Sequence, residues 1–220
     1  MSLYSTDHTV YLNSKHLEIP SVTTVLHVIN KPALPYWANG LGFKHIKVKD
    51  ELKAKANVGT DLHDMLSKYT MGEEINGEHW DDAIELFKVF LEWSDKNRYK
   101  VVLSEQSLSG EEFGGTIDSI GHVNGVLSMV DYKTSSRIYS SMFLQLAGYS
   151  LLVKEKMPET YSRIKQYGIL SISLKNGIQT KFVSKEDIED KYVPVFKKTL
   201  SLFNAWFELN MEEWNVNIAK

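Results

Sequence analysis

The sequence predicts an α/β (α+β) sandwich, in which a central mixed β-sheet is flanked by helices and preceded by a helical portion. Three observations lead there. Apolar positions recur at helical spacing through most of the first 98 residues. Residues 101–133 then form three runs rich in β-branched and aliphatic side chains, parted by turn signals. After them come one helical run, two further strands and a long amphipathic terminus. The chain 1–220 therefore reads as a single domain: an N-terminal hairpin and helical part (1–98), a sheet-bearing core (99–183) and a C-terminal helix (184–220).

The elements follow in order. His8 to Leu12 and His16 to Ile19 flank Asn13-Ser14-Lys15 and read as a hairpin. Pro20 stops the strand, and Ser21 caps a short helix through Val22, Val25, Leu26 and Ile29. Pro32 and Pro35 break the pattern, and a helix is expected from Tyr36 to about Lys55. Gly59-Thr60 punctuates before another helix carrying Leu62, Met65, Leu66 and Tyr69. Trp80 to Lys96 repeats the helical spacing. Val101–Leu108, Gly114–Val123 and Val126–Lys133 make an antiparallel meander, its second turn marked by the strong hairpin signal Asn124-Gly125. A helix over Ser140–Lys156 follows, then strands Lys165–Leu174 and Ile178–Val183 joined by Asn176-Gly177. Ser184, with Glu186 and Asp187 close by, opens the terminal helix.

Composition sets limits on chemistry. With no cysteine, the chain has no disulfide, thiolate zinc site, iron–sulfur cluster or cysteine nucleophile. No apolar run approaches the roughly 20 residues of a membrane span, and the first ten residues lack a secretory pattern. A cytoplasmic protein is expected, without a membrane partner. The net charge of −3 is unlike that of a typical polyanion binder, yet Lys44, Lys47, Lys49, Lys53 and Lys55 cluster in one stretch. They form either a polyanion contact or a solvated helix face. Tyr36, Trp37 and Phe43 just before them suit base stacking or core packing.

The meander carries the chemistry. Period-two alternation puts Asp131 and Lys133 on one face of their strand and Tyr132 on the other. A two-residue turn at Asn124-Gly125 pairs Val123 with Val126 and, counting back, Asp118 with Asp131, Cβ atoms about 4.5–5.5 Å apart. Two opposed carboxylates repel, and a divalent cation between them removes that cost; hard oxygen ligands suit Mg²⁺ or Mn²⁺. Lys133 could also balance the charge as a salt bridge without metal. His63, His27 and His45 carry no claim by themselves, since a lone helical histidine is more often structural. Ser21, Thr23 and Thr24 offer hydroxyls to a phosphate, although capping alone explains Ser21.

Taken together, Gly-Gly-Thr-Ile-Asp118, Met-Val-Asp131-Tyr-Lys133-Thr and Gln145-Leu-Ala-Gly-Tyr149 resemble the PD-(D/E)XK nuclease superfamily, in its RecB-like, phage-type exonuclease branch. Pro20–Leu26 and Gly59-Thr-Asp-Leu-His63 resemble further segments of phage and mitochondrial genome-maintenance exonucleases. These elements span residues 20 to 149 in the family's order. The absence of cysteine places the resemblance with the members that lack an iron–sulfur cluster.

The resemblance implies a restriction-endonuclease-like core and a Mg²⁺- or Mn²⁺-dependent deoxyribonuclease. Asp118, Asp131, His63 and the backbone carbonyl of Tyr132 would ligate metal, with Glu105 as a further ligand or an exposed strand residue. Lys133 would be the catalytic lysine, and Gln145 and Tyr149, four apart on one helix face, would hold it or the substrate phosphate. Lys44 and Lys47, with Ser21, Thr23 and Thr24, would contact nucleic acid. Exonuclease action on DNA ends or single strands, in phage-type replication, recombination or repair within a bacterial or phage-infected cell, is the leading expectation. The alternatives are a structure-specific endonuclease of the same fold and a non-catalytic nucleic-acid-binding module. No G-x-x-x-x-G-K-[ST] loop is present, so unwinding would fall to a helicase, single-strand-binding or recombination partner.

Overall fold

The computed structural model describes residues 9–218, with side chains for 9–210. A five-stranded sheet in chain order forms its centre. A small hairpin, β1 (Tyr11–Leu12) and β2 (Glu18–Ile19), precedes the helices. The expected strand start at His8 lies outside the described residues. Ser21 caps α1 (Val22–Val25), its hydroxyl accepting the Thr24 N–H at 3.0 Å, and a 3₁₀ turn (Leu26–Val28) ends the expected helix early.

Two expected boundaries shift. The helix expected from Tyr36 to Lys55 is broken into α2 (Ala33–Phe43) and α3 (Val48–Met71) by a turn that holds His45 at φ 56°. Within α3, Gly59-Thr60 does not interrupt the helix, which runs 24 residues to Gly72 in the left-handed conformation. Packing overrides the weak local propensity, because Leu62, Met65 and Leu66 bury one face. Gly59 also lets α3 approach β5, since a Cβ there would stand 3.2 Å from Thr134 Oγ1. Next comes α4 (Asp81–Lys96), close to its expected range.

The meander matches expectation closely: β3 (Lys100–Ser109), β4 (Gly114–Val123) and β5 (Val126–Lys133) are antiparallel neighbours. Asn124 and Gly125 both take positive φ, 50° and 85°, as a type I′ turn requires. Next, α5 (Ser140–Lys156) carries the chain across to β6 (Gln166–Ser173), parallel to β5, and β7 (Gly177–Ser184) pairs antiparallel at the other edge. Between α5 and β6 lies a short α6 (Pro158–Arg163) absent from the sequence reading. The terminal helix begins as one turn, α7 (Lys185–Asp187), capped by Ser184. It widens into a π segment (Ile188–Tyr192) and continues as α8 (Val193–Ile218).

Alternation along β5 and β6 sends side chains into two cores. Leu127, Met129, Tyr167 and Ile169 pack with α1, α5 and α8, and Val130, Tyr132, Leu170 and Ile172 pack with α3 and α4. Among the described residues no helix is long and apolar enough to cross a membrane.

Candidate metal centre

The site forms where the β4–β5 ladder stops. The paired residues run from Val123↔Val126 to Ser119↔Val130, the register that the Asn-Gly turn dictates. One step further, the Tyr132 N–H is met by a side chain, donating to Asp118 Oδ2 at 2.7 Å. Asp118 thus takes a place that a strand carbonyl would otherwise hold, instead of simply facing Asp131 across the hairpin. On β3, Glu105 falls between Ser104↔Ser119 and Gln106↔Ile117, level with Asp118. Its backbone sits at φ 47°, a left-handed conformation that costs a side-chain-bearing residue roughly 1–2 kcal/mol.

His63 reaches the same point from α3. Its Nδ1 lies 3.8 Å from Glu105 Oε1 and 3.9 Å from Asp118 Oδ1, and its ring meets Tyr132 edge-on at 6.0 Å. One ligand atom from each of His63, Glu105 and Asp118 lies within 4.8 Å of the others. The His63 and Glu105 side chains are 31% and 34% exposed, so an ion or water can reach them.

Asp131 is not part of this trio. It is buried on β5, and its Oδ2 lies 2.7 Å from Lys133 Nζ. Asp131 Oδ1 is buried without a hydrogen-bond partner. Both charged groups share one face and Tyr132 the other, as period two requires: the Tyr132 phenol meets Tyr99 at 3.2 Å in the α4-side core.

Electrostatics tie these groups together. Burial opposes a charge on His63, but the carboxylates of Asp118 and Glu105 outweigh it and push the imidazole up to about 9. Burial raises the Asp131 carboxyl to about 6, with Asp118 adding repulsion and Lys133 opposing both. Lys133 is raised above its ordinary value: burial works against its charge, but Asp131 and Asp118 more than compensate. The Tyr149 phenol is raised well above its usual range by burial and by the charges of Asp118 and Asp131.

Gln145 and Tyr149 do form a pair, the Gln145 amide donating to the Tyr149 hydroxyl at 2.7 Å. Tyr149 packs on Gly115, where a Cβ would come within 2.6 Å of its ring. Gly114 serves Tyr11 in the same way, with 2.4 Å to the nearest ring carbon, and Tyr11 in turn meets Thr116 Oγ1 at 2.9 Å. A cavity of about 290 Å³ opens beside this pair, lined among others by Tyr11, Ser21, Thr23, Glu105 and Tyr149. Ser21 and Thr23 thus reach the neighbourhood of the acidic cluster, and Thr24 hydrogen-bonds Ser21. Lys44 and Lys47 instead lie exposed in the α2–α3 turn, and neither lines that cavity. Tyr36 and Phe43 are exposed, and Trp37 is half-buried beneath Lys55 Nζ at 5.3 Å.

Two features of the site region escaped the sequence reading. Tyr11 belongs to the cavity wall, and the Gly114-Gly115 doublet inside a strand was the available signal of close side-chain approach. Asp61, two residues before His63, accepts the Trp80 N–H at 2.7 Å and contacts His79 Nδ1 at 2.5 Å, tying the start of α4 to α3. That pairing joins residues 18 and 19 apart and leaves no local pattern.

No family model matches the sequence, and no curated protein matches it. Among solved structures, the chain is similar to an alkaline exonuclease from Laribacter hongkongensis, at a TM-score of 0.49 and 11% identity over 91% of this chain and 93% of that one. The same exonuclease in complex with dAMP gives 0.43 and 10%, over 73% and 85%. A phage-related exonuclease from Haemophilus somnus 129PT gives 0.40 and 15%, over 89% and 96%.

Proposed function

We propose that the chain is a metal-dependent DNA exonuclease whose nuclease unit spans residues 1–220. The observation that carries this reading is the convergence of His63, Glu105 and Asp118 within 4.8 Å, beside a buried Asp131 whose Oδ1 has no partner. The donor set fits a divalent ion: an imidazole and carboxylate oxygens suit Mn²⁺, and the carboxylates suit Mg²⁺. His63, Asp118 and Glu105 would hold it, with Asp131 and the Tyr132 carbonyl completing the shell. Such an ion supplies Lewis acidity toward a phosphoryl oxygen and lowers the pKa of a water.

The chain's own groups do the rest. Lys133, charged and held by Asp131, stabilises negative charge growing on the non-bridging phosphate oxygens. Asp118 and Asp131 fix where the attacking water can sit, and Asp131 orients Lys133. Tyr149 borders the cavity and, held by Gln145, positions the scissile phosphate. Ser21, Thr23 and Thr24 offer hydroxyls to a neighbouring phosphate, and Lys44 and Lys47 meet the strand further out.

The substrate is a DNA end or single strand, and the setting is phage-type replication, recombination or repair in the cytoplasm, with unwinding left to a partner. End-labelled single- and double-stranded DNA incubated with Mg²⁺, Mn²⁺ or EDTA tests this. Cleavage that EDTA abolishes, with a ladder from one end and closed circular DNA left intact, is expected. A circle cut as fast as linear DNA would make the enzyme an endonuclease, and no cleavage with either metal would remove the nuclease reading.

A further inference from the structure

At the hairpin end of β5, opposite the candidate metal centre, lies a groove of about 460 Å³. Val126 and Leu127 form its apolar part, and His122, Arg163 and Lys165 its polar part. The local fold explains why two cations meet there. Ile164 between them is fully buried and extended (φ −61°, ψ 131°). Arg163 and Lys165 on either side of it are exposed and turn outward. The Lys165 backbone is pinned, its N–H donating to the Leu127 carbonyl at 2.9 Å and its carbonyl accepting from Lys185 at 3.0 Å.

The groove lining itself holds no countercharge. No carboxylate lines the groove although the chain carries a net −3. Among the described residues, neither Arg163 nor Lys165 has an ion-pair partner. Lys100 is the cross-strand partner of His122 and adds a cation on the same sheet face. Just behind, Lys154 and Lys185 stand over the Tyr161 ring at 5.5 and 3.6 Å, where Glu189, accepting from the Tyr161 hydroxyl, offsets part of their charge. Such a cluster repels itself in the free protein and gains when an anion enters. The apolar floor suits the sugars and bases of that anion better than a bare ion.

We propose that this groove grips the sugar–phosphate backbone of nucleic acid away from the bond being cut. It rests on the reading that nucleic acid is the substrate. About five residues of β5 separate Val126 from Asp131, roughly 17 Å at about 3.3 Å per residue. A bound strand must therefore extend several nucleotides beyond the reacting phosphate to touch it.

The test is binding, in EDTA, of a fluorescent duplex of about 20 base pairs (roughly 68 Å at 3.4 Å per step) across a salt series. Arg163→Gln/Lys165→Gln is compared with wild type and with Lys88→Gln/Lys96→Gln, which removes two charges on α4. Loss of two phosphate contacts lowers the slope of log K against log salt by about 1.8 in the groove variant. The α4 variant should keep the wild-type slope, and Arg163→Lys/Lys165→Arg, which preserves the charges, should keep it too. Cleavage of a trinucleotide with metal stays at the wild-type rate in the groove variant. An unchanged slope in a variant with wild-type circular dichroism overturns the groove; metal-dependent cleavage by wild type in that case leaves the nuclease reading standing. A lowered slope with no cleavage by any variant keeps the groove and removes the nuclease. Competition by polyglutamate or a free nucleoside monophosphate as strong as by DNA would also overturn it, marking a peptide or small-anion site.

Discussion

Asp118 Oδ2 accepts the backbone N–H of Tyr132 at 2.7 Å, while Oδ1 of the same carboxylate looks toward His63 at 3.9 Å. One side chain thus both finishes a strand pairing and faces the candidate metal position. The two roles separate by substitution. Asp118→Asn keeps an acceptor for the buried N–H, whereas Asp118→Ala leaves it unsatisfied, at about 1–3 kcal/mol. Urea unfolding in EDTA should show Ala well below wild type and Asn close to it, with metal-dependent cleavage lost in both. Equal destabilisation by the two would deny Asp118 its structural part.

Lys133 and Asp131 form a pair whose carboxylate is buried and whose ammonium is 26% exposed. Removing one member of a buried pair costs about 3–5 kcal/mol, because the other is left charged and alone. Partial exposure puts Lys133→Ala at or below the low end. Adding Asp131→Asn should recover part of that stability, and added Mn²⁺ should stabilise Lys133→Ala by neutralising Asp131. The single variant, once folded, is expected to bind DNA and cleave it at least about 100-fold more slowly, as for loss of one preorganised charge-stabilising donor. Full activity with Mg²⁺ would sink the catalytic assignment.

The parts of this site that were legible in the sequence are the local ones. Asn124-Gly125 sets the register that brings Asp118 beside β5, and period two sets Lys133 beside Asp131. What the sequence hid depends on contacts between distant segments. Gly59 looks like a helix stop until Thr134 is seen against it. The carboxylate of Asp118 replaces a backbone acceptor only because the ladder ends at Ser119, and no pattern marks that end. Glu105 is offered by the sequence as a further ligand or an exposed strand residue, but no glycine or asparagine announces its left-handed backbone.

His63 gives the site a pH signature. Its pKa of about 9 in the folded protein exceeds the ordinary 6.5. Protonation therefore stabilises the metal-free fold fully below pH 6.5, and that stabilisation is lost as pH rises through about 9. A metal ion must displace this proton, so apparent metal affinity should rise about tenfold per pH unit across that window. Calorimetric titration in buffers of different ionisation enthalpy should detect roughly one proton released per ion bound. A flat affinity over that window, or the same rise in His63→Ala, would remove His63 from the ligand set.

Gly115 is small because Tyr149 occupies its side-chain space, with 2.6 Å from a built Cβ to the ring. Gly115→Ala forces Tyr149 away and strains its hydrogen bond from Gln145. Overpacking of this kind costs about 1–3 kcal/mol. If the pair positions the phosphate, kcat falls further in Gly115→Ala than in Gly177→Ala, in the β6–β7 turn, where a Cβ meets nothing within 4 Å although positive φ also strains it. Matched stability losses with matched kcat would leave Tyr149 a packing residue only.

Glu105 combines backbone strain with a carboxylate aimed at His63. Strain at φ 47° is relieved by glycine, which tolerates the left-handed region without a Cβ penalty. Relief of roughly 1–2 kcal/mol of strain against glycine's entropic cost of about 0.5–1 kcal/mol means that Glu105→Gly should match wild-type stability in EDTA or slightly exceed it, even though a partner of His63 is lost. Glu105→Gln keeps the strain and removes only the charge, so it should gain nothing. Both variants should bind Mn²⁺ more weakly, read by isothermal titration, and cleave more slowly at subsaturating metal. A gain in stability with unchanged metal affinity would show the strained backbone of β3 to be unrelated to the metal centre.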